Sequence, residues 1–128
     1  MTVGESLLQP HLSYLKPLNE LLDSGMIKGL AHITGGGLTD NIPRILPEGT
    51  AVEISKGSWP VLSIFKLMQE IGSVSEAEMF RTFNMGVGMV VVTSAADQAA
   101  VESHLRQQGA AVYEIGRVSK GNQEVAIR

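Results

Sequence analysis

The stretch Ala31-His32-Ile33-Thr34-Gly35-Gly36-Gly37-Leu38-Thr39-Asp40-Asn41 carries the residue types best suited to chemistry in this chain. An apolar run ending at Ile33, then three glycines, then Leu38, Ile42, Ile45 and Leu46 at roughly helical spacing read as strand, turn and helix. Such a junction can hold a phosphate. Glycines let a ligand approach the main chain, and the first N–H groups of the helix point at it unpaired. Thr34 adds a hydroxyl, and Thr39 or Asp40 can cap the helix. A plain tight turn is the alternative that spacing alone leaves open.

Other residues gather around this stretch as candidates. His32, at the end of the strand, is either a substrate-contacting or proton-handling imidazole or a structural histidine. Asn41 either caps the helix or offers its amide to a ligand held over Gly35, Gly36 and Gly37. Glu78, Arg81 and Asn84 lead into a second glycine stretch, Phe83-Asn-Met-Gly-Val-Gly-Met89. The planar fork of Arg81 can pair with a phosphate, or stand solvated at a helix end. Gly86 and Gly88 can mark a ligand turn or close strand packing. His11 and His104 have little support, His104 being expected on the solvated side of an amphipathic helix, and the three histidines lack zinc-type spacing. There is no P-loop lysine motif, nucleophile elbow or complete triad. Spacing alone gives a small-molecule or phosphate-binding domain, and no reaction follows from it.

The elements that must position these residues follow from periodicity and punctuation. A helical turn is expected over 5–9, an extended segment over 11–16, and a helix from Pro17 to the stop at Ser24-Gly25. Met26 to Thr34 leads into the first strand, and Pro43 keeps the helix after the glycines short. Thr50 to Ser55 alternates as a strand, Trp59-Pro60 launches a helix to Ile71, and Ser75-Glu-Ala-Glu78 resembles a capping box. Val90 to Val92 is a strand, 95–108 a helix and 111–118 a strand. The turn Lys120-Gly121-Asn122 is expected to make a hairpin with residues 123–127. Five strands alternating with helices give an α/β domain, and the closing hairpin makes its sheet mixed.

At 128 residues with 44% hydrophobic and 18% charged residues, the chain has the makings of one globular domain, 1–128. A net charge of −3 gives no footprint for nucleic acid or an anionic membrane surface. No apolar run approaches the ~20 residues of a membrane span, and residues 1–10 lack a signal-peptide pattern. With no cysteine there is no disulfide framework or thiolate site, and a cytoplasmic setting is expected.

Two motifs together are far more specific than either alone. The first is Ala31-His-Ile-Thr-Gly-Gly-Gly-Leu-Thr-Asp-Asn-Ile-Pro-Arg-Ile-Leu-Pro47, and the second Glu78-Met-Phe-Arg-Thr-Phe-Asn-Met-Gly-Val-Gly-Met89. With Gly57-Ser-Trp-Pro60 and Tyr14-Leu-Lys-Pro17, they make the chain resemble the C-terminal half of phosphoribosylformylglycinamidine cyclo-ligase, also called aminoimidazole ribonucleotide synthetase, from about Gly4 to Ile127.

The resemblance implies a three-layer α/β/α domain with a mixed sheet. It also implies a part in the ATP- and Mg2+-dependent closure of formylglycinamidine ribonucleotide to aminoimidazole ribonucleotide in purine biosynthesis. Nucleotide, metal and the main dimer contact would belong chiefly to the N-terminal half, absent here, so no cofactor is expected in this chain alone, which would be inactive. Thr34 to Gly37 would seat the ribose phosphate, with His32, Asn41, Arg81, Asn84, Gly86 and Gly88 around it, and Gly36→Val is expected to block that seat. The partners expected are the substrate, the N-terminal half and a second copy of the chain in a homodimer. His11-Leu12-Ser13 departs from the family, where a basic residue is common just before the Tyr14 position. A free-standing phosphate-metabolite binding module and an assembly domain are the competing readings.

Overall fold

The computed structural model describes all 128 residues. In chain order they form α1 (Val3–Leu7), α2 (Leu15–Leu22), β1 (Ile27–His32) and α3 (Gly37–Asn41), which runs into a 3-10 turn (Ile42–Ile45). Then come β2 (Thr50–Ile54), α4 (Ser63–Gly72), α5 (Glu76–Thr82), β3 (Met89–Thr93), α6 (Gln98–Gln107), β4 (Gly116–Lys120) and β5 (Val125–Ile127). The expected α/β class with a mixed sheet is observed, divided into two ladders. β1 pairs antiparallel with β3, and a second sheet runs in the order β4-β2-β5.

Alternation along β1 and β3 decides what lies on each side of their ladder, because successive side chains of a strand point to opposite faces. Ala31 and Val90 face the larger core, with Leu38, Ile42, Trp59, Met79 and Phe80. Leu30, Met89 and Val91 face the other way, against Leu18 and Leu21 of α2 and Val101 and Leu105 of α6. His32, two residues beyond Leu30, therefore emerges on the side where the segment before α2 lies.

Local chemistry sets several of the element ends. Ser75 caps α5 by accepting from the Glu78 N–H. Pro17 is the third residue of α2, where a missing N–H costs nothing, so that helix starts at Leu15 and the expected extended segment ends before it. α4 starts at Ser63, later than Trp59-Pro60 suggested, because Leu62 is extended and buried Trp59 donates its indole N–H to the Met85 carbonyl, 2.9 Å away. A turn built on Ser94 and Asp97, with the two side chains 2.7 Å apart, delays α6 to Gln98.

The last strand pair differs from expectation. Pairing begins at Gly116 instead of 111, and β4 and β5 form no hairpin with each other, because β2 lies between them, antiparallel to β4 and parallel to β5. The connection wraps the start of β2, with the Gly121 N–H donating to Gly49 O and the Gln123 N–H to Thr50 O. Gly121 makes that crossing possible: a Cβ there would lie 2.3 Å from that of Ala51. No helix is long and apolar enough to cross a membrane.

Candidate functional site

The two glycine stretches meet in space. β1 continues past His32 so that the Ile33 N–H donates to Gly88 O at 2.9 Å, and α3 packs against α5. That packing is close because of Gly37, where an added Cβ would lie 1.9 Å from the Phe80 carbonyl oxygen and 2.7 Å from that of Phe83. Gly36 and Gly37 both have positive φ, 101° and 59°, a region that costs glycine least. Gly36 is also the N-cap of α3, so neither Thr39 nor Asp40 caps it, and no side chain does.

Asn41 does not start a helix and does not present its amide outward; it is the last residue of α3 and only 4% exposed. Its Nδ2 donates to the carbonyls of Gly37 (2.8 Å), Thr34 (3.2 Å) and Gly35 (3.3 Å), and its Oδ1 accepts from the Thr34 hydroxyl at 3.2 Å. Asn41 therefore holds the glycine loop in shape, and its expected contact with a ligand is corrected to that role. The main-chain N–H groups of Gly35, Gly36 and Thr39 have no partner inside the chain. Gly35 is exposed, with no atom within 4 Å of where a Cβ would stand.

The second stretch is committed to packing more than expected. Asn84 Oδ1 accepts from the Gly86 N–H at 2.9 Å, closing a turn whose central residues Met85 and Gly86 have φ of 52° and 93°. The space beside Gly88 is filled by Tyr14, whose hydroxyl would lie 1.8 Å from an added Cβ. Gly88 is thus a packing glycine, and Gly37 likewise. Gly86 remains exposed, and Arg81 stands on the surface with its guanidinium 4.0 Å from the Glu78 carboxylate. For Gly36, valine would do more than block a ligand, since its Cβ would lie 2.7 Å from that of Asp40 in a left-handed backbone. Gly35 is the position where approach and folding separate.

His32 is exposed and does not stand alone. His11 places its Nε2 3.2 Å from that of His32, with ring centroids 5.3 Å apart, and Tyr14 lies edge-on to both at 6.1 and 6.2 Å. At this distance the two ring nitrogens are within hydrogen-bonding reach, with donor and acceptor set by the tautomer of each ring. Burial pushes the Tyr14 phenol above its ordinary pKa. Sequence gives His11 little support because its partner is 21 positions away and no local spacing announces it. His104 is also corrected: its Nε2 is buried without a hydrogen-bond partner, 3.9 Å from Glu20.

Two shallow depressions, of about 380 and 360 Å³, lie elsewhere, between α2 and Gln108 and beside Glu53 and Arg117. Neither includes the glycine loop.

Comparison with known proteins follows the same lines. A family model described as AIR synthase related protein, C-terminal domain, matches residues 1–128. The curated phosphoribosylformylglycinamidine cyclo-ligase of Bacillus cytotoxicus is 49% identical over 122 residues, which is 95% of this chain and 35% of that protein. That of Methylobacillus flagellatus is 49% identical over 111 residues, 87% of this chain and 32% of that one. The chain thus spans about a third of the length of the curated relatives it matches. Two solved structures of E. coli HypE, one described as a hydrogenase maturation protein, superpose with TM-scores of 0.67 and 0.69 at 21% and 23% identity. Each covers 98% of this chain and 40% or 39% of HypE, a likeness of fold. With the family model matched from end to end and both glycine motifs in place, the chain belongs to the AIR synthase related family, as its C-terminal domain.

Proposed function

We propose that this chain is the C-terminal part of a cytoplasmic phosphoribosylformylglycinamidine cyclo-ligase and helps to bind formylglycinamidine ribonucleotide for ring closure to aminoimidazole ribonucleotide. The observation that carries the reading is 49% identity, over 95% of this chain, with a protein of that name. The glycine loop supports it. Three N–H groups without a partner inside the chain, at Gly35, Gly36 and Thr39, belong to a short turn whose shape Asn41 maintains. A ribose phosphate there would receive main-chain donors at almost no reorganisation cost. The Thr34 hydroxyl donates to Asn41, and Arg81 adds a surface cation on α5, the helix against which α3 packs. Asn84 and Gly86 close the turn before Gly88, whose carbonyl accepts from the Ile33 N–H, and His32 Nε2, partnered by His11, is the group able to hold or pass a proton.

ATP and Mg2+ would supply activation of the amide oxygen in the whole enzyme. No three His, Asp or Glu side chains of this chain converge to hold a metal ion, and the sequence has no P-loop lysine. These residues do not fit the ion. The substrate contacts proposed here are therefore half of a site, completed by the other two-thirds of such an enzyme.

The test is complementation. The chain is mixed with the separately produced N-terminal two-thirds of the Bacillus cytotoxicus relative and assayed for aminoimidazole ribonucleotide. Activity is expected only in the mixture, and Gly35→Val should lose it with the domain still folded. Turnover by the chain alone, or none in a mixture whose parts associate, would overturn the proposal.

A further inference from the structure

We propose that His11 and His32 form a two-histidine chelate for a borderline-soft divalent cation such as Zn2+ or Ni2+, tying the segment before α2 to the end of β1. Two metal–imidazole bonds of about 2.0–2.1 Å at a tetrahedral angle separate their nitrogens by about 3.3 Å. The two Nε2 atoms here are 3.2 Å apart. Two side chains therefore already have the bite that a first-row cation needs, without movement of the backbone that carries them. The rings stand at 81° to each other and both residues are exposed, so a hydrated ion can reach them and keep its remaining ligands as water.

The geometry also says what kind of site this is. No third His, Asp or Glu joins the pair, which gives an open site with two protein ligands. Imidazole favours Zn2+, Ni2+ and Cu2+ over Mg2+, whose preference is for oxygen. Neither ring has another hydrogen-bond partner inside the chain to orient it, so binding is exchangeable and of modest affinity. Tyr14, edge-on to both rings, walls one side and limits the ring orientations available. The site needs only this chain, so metal uptake is read without the cyclo-ligase reaction; an ion bound there takes the His32 Nε2 lone pair that the cyclo-ligase reading gives to a proton.

The experiment is calorimetric titration of the untagged 128-residue chain with ZnCl2 and NiCl2, with MgCl2 as the contrast. Saturable binding of one Zn2+ or Ni2+ per chain is expected, with none for Mg2+. His11→Gln and His32→Gln should each weaken it by more than the ~10-fold that loss of a supporting outer-shell group costs. Both residues are exposed, so circular dichroism should show both variants folded. His104→Gln should leave binding unchanged. No saturable uptake, uptake kept in either single variant, or uptake lost with His104 would overturn the chelate.

Discussion

Replacing Asn41 by alanine tests whether one buried amide holds the glycine loop. The side chain is 4% exposed and makes one short donated bond, two longer ones sharing its remaining N–H, and one accepted bond from Thr34. Two donated bonds and one accepted, at about 1 kcal/mol net each, predict a loss of about 3 kcal/mol. For a domain of this size that corresponds to a fall in Tm of about 12 °C. Aspartate is the sharper probe. It has nearly the same shape but no N–H, and it sets a carboxylate oxygen against the carbonyls of Thr34, Gly35 and Gly37. At pH 7 Asn41→Asp should be less stable than Asn41→Ala, and the gap should close as acid protonates the carboxyl and restores one donor. Urea denaturation followed by circular dichroism reads both. An alanine variant within about 0.5 kcal/mol of the parent, or an aspartate variant as stable as asparagine at pH 7, would refute the role.

Three further outcomes are expected. Gly37→Ala should lower stability by at least the 1–3 kcal/mol typical of overpacking, because its Cβ meets the Phe80 and Phe83 carbonyls, whereas Gly35→Ala should stay within about 0.5 kcal/mol of the parent in thermal unfolding. Tyr14 ionises less readily folded than unfolded, so above its ordinary pKa of 10.0 the unfolded chain loses the proton first and stability falls as pH rises; in urea titrations at successive alkaline pH values, Tyr14→Phe should show a shallower decline. The chain should self-associate, most simply as a dimer, through Leu7, Leu8, Leu12 and Leu15, which are 62–83% exposed, and sedimentation velocity at rising concentration should show it.

Local signals were enough wherever a residue's role depends on its neighbours in sequence. Ser75 three residues before Glu78 announces a cap, Thr50 to Ile54 alternates as a strand does, and three glycines after an apolar run announce a turn. The paired motifs at 31–47 and 78–89 were enough to point to the family. Roles that depend on distant partners were not legible. Asn41 is a ligand candidate until the chain folds back and turns its amide onto three loop carbonyls. Gly88 is a binding glycine until Tyr14 arrives to fill the space, and Gly37 until α5 does. Gly121 signals a hairpin locally, yet the sheet uses its missing side chain to pass β5 across to the far edge of β2. His11 acquires its meaning from His32, and strand alternation is the physical reason: once Leu30 faces α2, His32 must emerge on that same side, where His11 and Tyr14 already stand.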